Sequence, residues 1–314
     1  MENSGVRIVT WKVSEENMTV ERALRAKGCS HHVLTLLKHT DHGILLNGIW
    51  TYANQPTKPG DEITIRVEEN ASSEQILPVP LPLSIIYEDE DVLVVDKPEN
   101  MPVHPSAGNY ENTLANAVMY YYSAKDIPFV FRCVTRLDRD TTGLVLLAKN
   151  SLSSAILSDQ AAHRQIHREY LAIVEGMLPL KGTIDAPIAR EEGSALMRCV
   201  DYENGERAVT HYKRLAAFWR GENTFSDMLS LASVHLETGR THQIRVHMKS
   251  IGHPLPGDFL YHPDSVCELA PRQMLHSHRI SFTHPITGEA LSFVSNMPED
   301  MQRLLHSYHS LLFF

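Results

Sequence analysis

The chain has 314 residues, 43% hydrophobic and 21% charged, which allows a sizeable core and excludes a disordered, collagenous or coiled-coil protein. Its formal net charge of −9 by itself argues against a nucleic-acid-binding protein, whose binding surface should be basic. The sequence shows no signal segment and no apolar run of the roughly 18 to 20 residues that a membrane span needs. We therefore expect a soluble, cytoplasmic protein without membrane contact.

Two short helices followed by a small sheet are predicted in the first 69 residues. Residues 18–28 have Thr19 as a plausible N-cap and Gly28 at the end, and residues 30–39 repeat the helical pattern. Alternating strands follow at 44–48 and 61–67, with Asn47-Gly48 as a hairpin signal. This order resembles the S4-like RNA-binding domain that precedes the catalytic domain in many RNA-modifying enzymes. The Ser-Arg pair usual in that domain is replaced here by Ser30-His31.

The negative charge is concentrated in one segment. Residues 61–100 carry eleven acidic and two basic side chains, whereas residues 101–314 are nearly neutral. Within this segment, residues 70–82 contain Pro78, Pro80 and Pro82, which favour an extended backbone. We predict a domain at 1–69, a proline-rich linker at 70–82 and a catalytic domain at 83–314. The acidic run is interpreted as a solvated surface near a hinge; its main members are Asp61, Glu62, Glu68, Glu69, Glu74 and Glu88 to Asp91.

Strand patterns outnumber helical ones after the linker. Runs typical of strands fall at 83–88, 92–96, 144–148, 170–174, 228–236 and 280–282, and helical patterns at 112–123, 151–163, 240–251 and 299–312. Because strands and helices do not alternate regularly, we predict an α+β fold with a mixed, mainly antiparallel central sheet and flanking helices. The separated cysteines, without a C-x-x-C pair, predict reduced thiols and no cysteine zinc site.

A charged cluster precedes the apolar strand at 144–148. Asp138 lies between Arg136 and Arg139, and nearby positive charges keep a carboxylate ionised, as a nucleophile or general base requires. The alternative is a structural ion-pair network of Arg136, Arg139 and Asp140. A hydrolase that uses Asp138 and Asp140 as a carboxylate pair is the third, disfavoured alternative.

A second polar cluster occupies residues 238–249. If a helix begins at Thr241, Ile244 and Met248 face inward, and His242, Arg245 and Lys249 form a neighbouring cationic stripe. Such a stripe fits a phosphate backbone or a carboxylate, and the alternative is a solvated helix face. No metal is expected here or at the His276 and His278 pair. His242 and His247 are five residues apart, and no acidic or cysteine ligand lies close to His276 and His278.

Several motifs in this order are similar to those of the RluA/RluD-type pseudouridine synthase family. They span about residues 83–298 and include Tyr87 to Pro98, Arg136 to Gly143, His167 to Tyr170, Gly182 to Arg190, Gly239 to His247, Gly252 to Asp258 and His284 to Glu289. The resemblance implies a pseudouridine synthase fold with an RNA-binding cleft across its sheet. It implies an isomerase of specific RNA uridines that needs no cofactor and no metal.

Carried over to this chain, the resemblance assigns three catalytic residues. Asp138 matches the aspartate that attacks the target nucleoside, Tyr170 the tyrosine that stacks on the base, and Arg245 the partner of the aspartate, with Arg240 as a rival. Arg136 matches an arginine that fills the gap left by a flipped base. RNA contacts are further expected from Arg139, Arg240, His242 and Gln243. Two departures are Thr135 in place of the usual His and Asn100 in place of the usual Gly.

The expected partner is RNA. Large-subunit ribosomal RNA is favoured because an S4-like domain precedes the catalytic domain, and transfer RNA is the alternative. A non-catalytic RNA-binding or ribosome-assembly factor is disfavoured because Asp138, Tyr170 and Arg245 are all present. We expect a monomer. Since the charge outside 61–100 is nearly balanced, RNA recognition should depend more on RNA shape than on bulk attraction.

Overall fold

The computed structural model describes residues 5–69, 72–220 and 228–311. These residues contain two main sheets. The smaller sheet has the strand order β1-β6-β3-β4 and lies near the N-terminus. Its strands are β1 (Val6–Lys12), β3 (Ile44–Leu46), β4 (Ile49–Trp50) and β6 (Glu62–Glu68), and a short pair of β2 (Met18–Thr19) and β5 (Pro56–Thr57) accompanies it. Strand β1 was not predicted, although Val9 and Trp11 alternate with exposed neighbours.

The helices of this N-terminal part begin where the sequence predicts. Helices α1 (Val20–Ala26) and α2 (His31–His39) are capped by the Thr19 and Ser30 hydroxyls, which accept hydrogen bonds from the N–H groups three residues on. Asn47 and Gly48 both have positive φ, as a tight two-residue hairpin requires. These predictions are confirmed, because caps and turn residues act locally.

The larger sheet is mixed and mainly antiparallel, as predicted. Its strand order is β12-β15-β16-β11-β17-β10-β8-β7, with β9 on β10, β18 on β17 and β19 on β15. The strands are β7 (Ser84–Glu88), β8 (Val92–Lys97), β9 (Arg132–Cys133), β10 (Thr142–Ala148), β11 (His167–Glu175), β12 (Lys181–Asp185), β15 (Val209–Trp219), β16 (Met228–Leu236), β17 (Leu275–Thr283), β18 (Ala290–Val294) and β19 (His309–Leu311). Strands β10 and β17 run parallel. A separate hairpin consists of β13 (Ile188–Arg190) and β14 (Arg198–Val200).

Four helices in the described residues accompany the larger sheet. They are α3 (Leu114–Ser123), α4 (Ser151–Ala162), α5 (Gln243–Ser250) and α6 (Glu299–His306). The prediction is confirmed for α3 and α4. The predicted helix at 299–312 is too long, because the chain leaves α6 and pairs as β19 with the edge of β15. None of the helices in the described ranges combines the length and apolar character needed to cross a membrane.

The interpretation of the acidic run as a solvated surface is wrong for Glu88 and Asp91, whereas Glu90, with 72% of its side chain exposed, agrees with it. Glu88 accepts hydrogen bonds from the Tyr122 hydroxyl at 2.8 Å and from the Lys149 ammonium at 2.7 Å. Asp91 is only 2% exposed and forms a two-pronged ion pair with Arg7 at 3.0 and 2.7 Å. These carboxylates therefore connect distant parts of the fold, and none of them lines the cleft described below.

The described part of the proline-rich segment is bound to helix α3. Its Val79 N–H donates to the carbonyl of Asn116, whose amide donates to the Leu77 carbonyl. Just before the segment, Glu69 pairs with Arg132 and accepts from the Ser151 N–H at the start of α4. Both ends are thus fixed by hydrogen bonds. The boundaries at 69 and 83 stay predictions, and residues 70 and 71 lie outside the described residues.

Candidate active site

The loop before β10 presents Asp138 at the edge of the larger sheet. The Leu137 side chain packs against two hydrophobic clusters of the core. Because adjacent side chains of an extended segment point in opposite directions, Arg136 and Asp138 face away from the core. Immediately after the loop, Gly143 has φ +109°, and a Cβ there would lie 2.3 Å from the Ser277 carbonyl oxygen. Only glycine allows β10 to approach β17 so closely, and this contact fixes the loop beside β17.

Buried hydrogen-bond donors bind the backbone carbonyls of the loop that contains Asp138. The Arg139 carbonyl accepts from the Lys97 amine at 2.9 Å and from the Met101 N–H at 3.1 Å. The next carbonyl, that of Asp140, accepts from the Arg272 guanidinium at 3.1 Å. Asn100 adopts the left-handed conformation that a glycine at this position would favour. The loop is therefore preorganised, as a site that aims a reactive side chain requires.

Lys97 gives the stability of this loop a characteristic pH dependence. The side chain is 1% exposed, and burial lowers its pKa to about 7. The neutral amine has two N–H donors, which match its two acceptors, the carbonyls of Pro98 and Arg139.

We expect Lys97→Met to flatten the rise of the unfolding free energy between pH 7.5 and 9.5. In this window the unfolded chain keeps the lysine protonated while the folded state does not. The unfolded state therefore binds more protons, and stability rises with pH by up to about 1.4 kcal/mol per pH unit. Urea unfolding of both proteins at several pH values measures the difference in slope. Parallel curves would show that Lys97 stays charged when buried.

Arg245 joins two carboxylates on the floor of the site. It binds Asp258 through two hydrogen bonds of 2.7 Å and donates to Asp138 Oδ2 at 3.0 Å. The Arg245 and Asp258 side chains are 2% and 1% exposed, and that of Asp138 is 26% exposed. Burial alone would lower the pKa of Arg245, but the two carboxylates outweigh it and raise the pKa. Asp138 is thus the open end of a fixed, buried ion-pair chain.

His242 lies on the other side of Asp138. Its Nε2 is 3.9 Å from Asp138 Oδ1, and its Nδ1 contacts the Tyr261 hydroxyl at 2.8 Å. Burial lowers the pKa of His242. The predicted helix start at Thr241 is wrong: His242 adopts a left-handed conformation, and α5 begins at Gln243. The expected stripe is therefore not a solvated face, because Arg245 is buried against Asp138.

A cavity opens above these groups, with an empty volume of about 420 Å³. Tyr170 forms part of its wall, and an irregular pairing of β11 with β17 lies between Glu169 and Tyr170, a feature that re-aims side chains. Within the described part of the chain, no group hydrogen-bonds the Tyr170 hydroxyl. The cavity is lined by Arg136, Leu137, Asp138, Thr141, Arg168, Tyr170, Leu236, Gly239, Arg240, His242, Gln243, Ile244, Arg245 and Leu275.

The predicted RNA-contacting arginines surround the mouth of this cavity. Arg136 is exposed and lines the cavity together with the grooves on both sides of it. Arg240 lines the same three spaces but forms an ion pair with Glu206, so it is not the partner of Asp138. Arg139 pairs with Asp140 rather than with Asp138. A continuous, arginine-lined cleft thus passes over Asp138.

The side chains of Gln243 and Thr135 form their hydrogen bonds within the protein. The Gln243 amide is buried: its oxygen accepts from Thr238 and from the Arg240 N–H, and its nitrogen donates to Val209 and Thr210. This arrangement orders the loop that contains Arg240, so we assign Gln243 a positioning role in place of an RNA contact. Thr135 is 5% exposed, and its hydroxyl accepts from the Leu146 N–H.

Three residues of the site had no role predicted from the sequence. Asp258 and Arg168 both lie in quoted motifs, but spacing alone gave no reason to place them beside Asp138 or in the cavity wall. Tyr261, at 5% exposure, follows Asp258 by three residues, and its N–H donates to Asp258 Oδ1. The sequence signal that could have indicated these residues is Asp258 followed by two aromatic residues, Phe259 and Tyr261, within three positions.

One cluster of possible metal ligands in the described residues lies elsewhere, at Asp89, Asp91 and His284. His284 Nδ1 accepts from two backbone N–H groups, so its proton is on Nε2 and is donated to Asp89 at 3.0 Å. Asp91 is occupied by Arg7. The lone pairs are used within the protein, and the cluster is explained as a structural network.

The chain is similar to known proteins over the part that contains this site. A family model described as RNA pseudouridylate synthase matches residues 91–250. The uncharacterized RNA pseudouridine synthase YjbO of Bacillus subtilis is 38% identical, over 92% of this chain and 98% of the relative. The ribosomal large subunit pseudouridine synthase D of Zymomonas mobilis is 45% identical, over 72% and 73%. A solved structure of human RNA pseudouridylate synthase domain containing 1 covers 74% of this chain and 90% of its own, with a TM-score of 0.60 at 26% identity.

Proposed function

Because the chain belongs to the RNA pseudouridylate synthase family, which isomerises uridine to pseudouridine in RNA, we propose that its substrate is large-subunit ribosomal RNA. The family resemblance of the sequence motifs is confirmed by the family match. The choice of RNA is supported by relatives named ribosomal large subunit pseudouridine synthase D at 37% to 45% identity. The isomerase activity itself is supported by the Asp138 carboxylate, which Arg245 holds beneath the cavity that Tyr170 lines.

We assign the nucleophilic role to Asp138. The reaction breaks the bond between ribose C1′ and uracil N1 and forms a bond between C1′ and uracil C5. Attack of the carboxylate on C1′ releases uracil with the bonding electrons on N1. After rotation, C5 attacks C1′, the carboxylate leaves, C5 loses its proton and N1 gains one. Atoms and electrons balance without a cofactor, which agrees with a site in which Asp138 is the carboxylate that faces the cavity.

Tyr170 and Arg136 are suited to hold the uridine outside the RNA helix. A paired base cannot reach a cavity floor until it is flipped out, which costs a few kcal/mol. Stacking on an aromatic ring such as Tyr170 contributes about 1 to 3 kcal/mol per base. The exposed Arg136 guanidinium, at the mouth of the cavity, can occupy the space that the base leaves. Arg139 and Arg240 line the adjacent grooves as phosphate contacts.

The N-terminal helices and sheet are proposed to form an S4-like RNA-binding domain over residues 1–69. Two capped helices followed by a hairpin support this assignment. The domain contacts the catalytic part through Arg7 and Glu69, which would fix its position relative to the cleft. We propose a cytoplasmic location, because the proposed substrate is ribosomal RNA. A monomer stays a prediction.

We expect the purified protein to release tritium from a large-subunit ribosomal RNA transcript labelled at uracil C5. Release follows from the loss of the C5 proton in the isomerisation. A transfer RNA pool labelled in the same way is the matched control, and release from it alone would reassign the substrate. No release from either RNA or from total cellular RNA would favour a non-catalytic RNA-binding factor. Mapping pseudouridines in cells without the gene then identifies the modified uridine.

A further inference from the structure

We propose that Tyr261 and His242 form a bridge that positions the second carboxylate oxygen of Asp138, and that hairpin β13–β14 anchors this bridge. From the sequence, His242 was expected to contact RNA. In the structure its ring is mostly enclosed, with 13% of the side chain exposed, between Asp138 and Tyr261. The inference rests on the proposed nucleophilic role of Asp138. In that role Arg245 would hold Oδ2 and His242 would hold Oδ1.

The hydrogen-bonding pattern fixes the direction of the bridge. The Tyr261 oxygen accepts from the Arg198 backbone N–H at 2.9 Å and contacts His242 Nδ1 at 2.8 Å. If Tyr261 donates its single proton to Nδ1, the imidazole proton is on Nε2 and faces Asp138 Oδ1. The opposite tautomer would direct the Nε2 lone pair at a carboxylate, which is unfavourable. The bridge therefore runs from Arg198 N–H through Tyr261 and His242 to Asp138.

The ionisation states that this bridge needs agree with the surroundings. Burial lowers the pKa of His242, which favours the neutral ring with one N–H donor. Burial also raises the pKa of Tyr261, so its hydroxyl keeps the proton that it donates. The Arg245 guanidinium lies 5.0 Å from the centre of the Tyr261 ring and packs against it. The same tyrosine thus contacts both partners of Asp138.

The backbone of His242 favours this role. An ordinary N-cap residue is extended and uses its side chain to bind the first N–H groups of the helix. His242 caps α5 in a left-handed conformation, with φ 58° and ψ 18°, and makes no such side-chain bond. This conformation is uncommon for residues other than glycine and often occurs at functional sites. It leaves both ring nitrogens available for Tyr261 and Asp138.

The hairpin connects the bridge to the RNA-binding cleft. Arg190 and Arg198, paired across β13 and β14, line a groove together with Arg136 and Arg240. RNA bound in this groove would contact Arg198, whose backbone N–H donates to the Tyr261 hydroxyl oxygen. The Nε2 to Oδ1 distance of 3.9 Å exceeds a hydrogen bond, and contacts of this kind commonly shorten when substrate binds. We infer that RNA on the hairpin tightens the contact of His242 with Asp138.

Two substitutions of His242 separate the halves of the bridge. In His242→Gln the amide nitrogen takes the place of Nε2 and can still donate to Asp138. In His242→Asn the amide takes the place of Nδ1, which keeps Tyr261 but leaves Asp138 Oδ1 without a donor. We expect kcat for tritium release to fall about tenfold or more in His242→Asn and to be largely retained in His242→Gln, with KM within about threefold in both. Equal losses in both, or a change in KM alone, would overturn the bridge in favour of an RNA contact.

Tyr261→Phe tests the anchor, because it removes the hydroxyl and keeps the ring against Arg245. We expect kcat to fall by about the factor seen for His242→Asn. The double variant Tyr261→Phe with His242→Asn should be no slower than either single variant, because both substitutions interrupt the same chain of hydrogen bonds. Additive losses would contradict the bridge.

Imidazole ¹⁵N spectra provide a readout that does not depend on turnover. The His242 signal, identified by its absence in His242→Asn, should show the neutral Nε2–H tautomer and change in Tyr261→Phe. A charged or Nδ1–H ring would refute the bridge, whereas absence of tritium release by the wild type would refute only the proposed function.

Discussion

Asp138→Asn should abolish tritium release, with a loss in kcat of at least about 10³-fold. The amide has nearly the shape of the carboxylate but cannot attack C1′ as an anion. Asp138 is 26% exposed, and Arg245 keeps its two hydrogen bonds to Asp258. The fold should therefore survive the substitution, with RNA affinity within a few-fold of the wild type. Tritium release under single-turnover conditions and filter binding of the same transcript measure the two effects separately.

Asp140→Asn is the matched control, because it makes the same chemical change two residues away. Asp140 accepts from the Asn100 N–H and pairs with Arg139, and the amide oxygen of asparagine can keep the first contact. We expect activity within about tenfold of the wild type, since one partly exposed ion pair is lost. Comparable losses in both variants would mean that Asp138 supports the loop and does not act on the nucleoside.

The roles of the two arginines show what spacing could and could not predict. Arg240 and Arg245 both lie in one cationic motif, and the sequence left open which of them pairs with Asp138. The structure decides the question: α5 begins at Gln243, after the left-handed residue His242, and Arg245 in its first turn is buried against Asp138 and Asp258. Arg240 stays in the loop, where it meets Glu206. A single φ angle of this kind is set by tertiary contacts, here with Tyr261 and Asp138, which no local pattern contains.

The acidic turn shows the same limit at longer range. Caps, the Asn47-Gly48 hairpin and the strand runs were predictable because their physical causes lie within a few residues. Glu88 and Asp91 bind, among others, Tyr122, Lys149 and Arg7, which lie between 34 and 84 positions away in the sequence. Composition therefore indicated a charged surface where the fold forms a buried network. The net charge of −9 is therefore a poor guide to RNA binding, because many acidic side chains of residues 61–100 form ion pairs within the protein.

The second large effect is expected from Arg245→Met, which should remove activity and lower the free energy of unfolding by about 3 to 5 kcal/mol. Methionine fills part of the space but leaves Asp258 as a buried carboxylate, 1% exposed, without its cation. Asp138 Oδ2 loses its donor in the same variant. Urea unfolding and tritium release of the purified variant measure both losses.

Arg245→Met combined with Asp258→Asn separates the structural from the chemical part of this loss. The introduced amide carries no charge, and its oxygen can still accept from the Leu260 and Tyr261 N–H groups, each 3.1 Å from Asp258 Oδ1. We therefore expect the double variant to regain about 2 kcal/mol of stability, because a buried charge without a partner is more costly than a neutral amide. Activity should stay absent, since nothing replaces the donor to Asp138. If activity returned with stability, Arg245 would serve only to compensate Asp258, and the aim of Asp138 would depend on His242 alone.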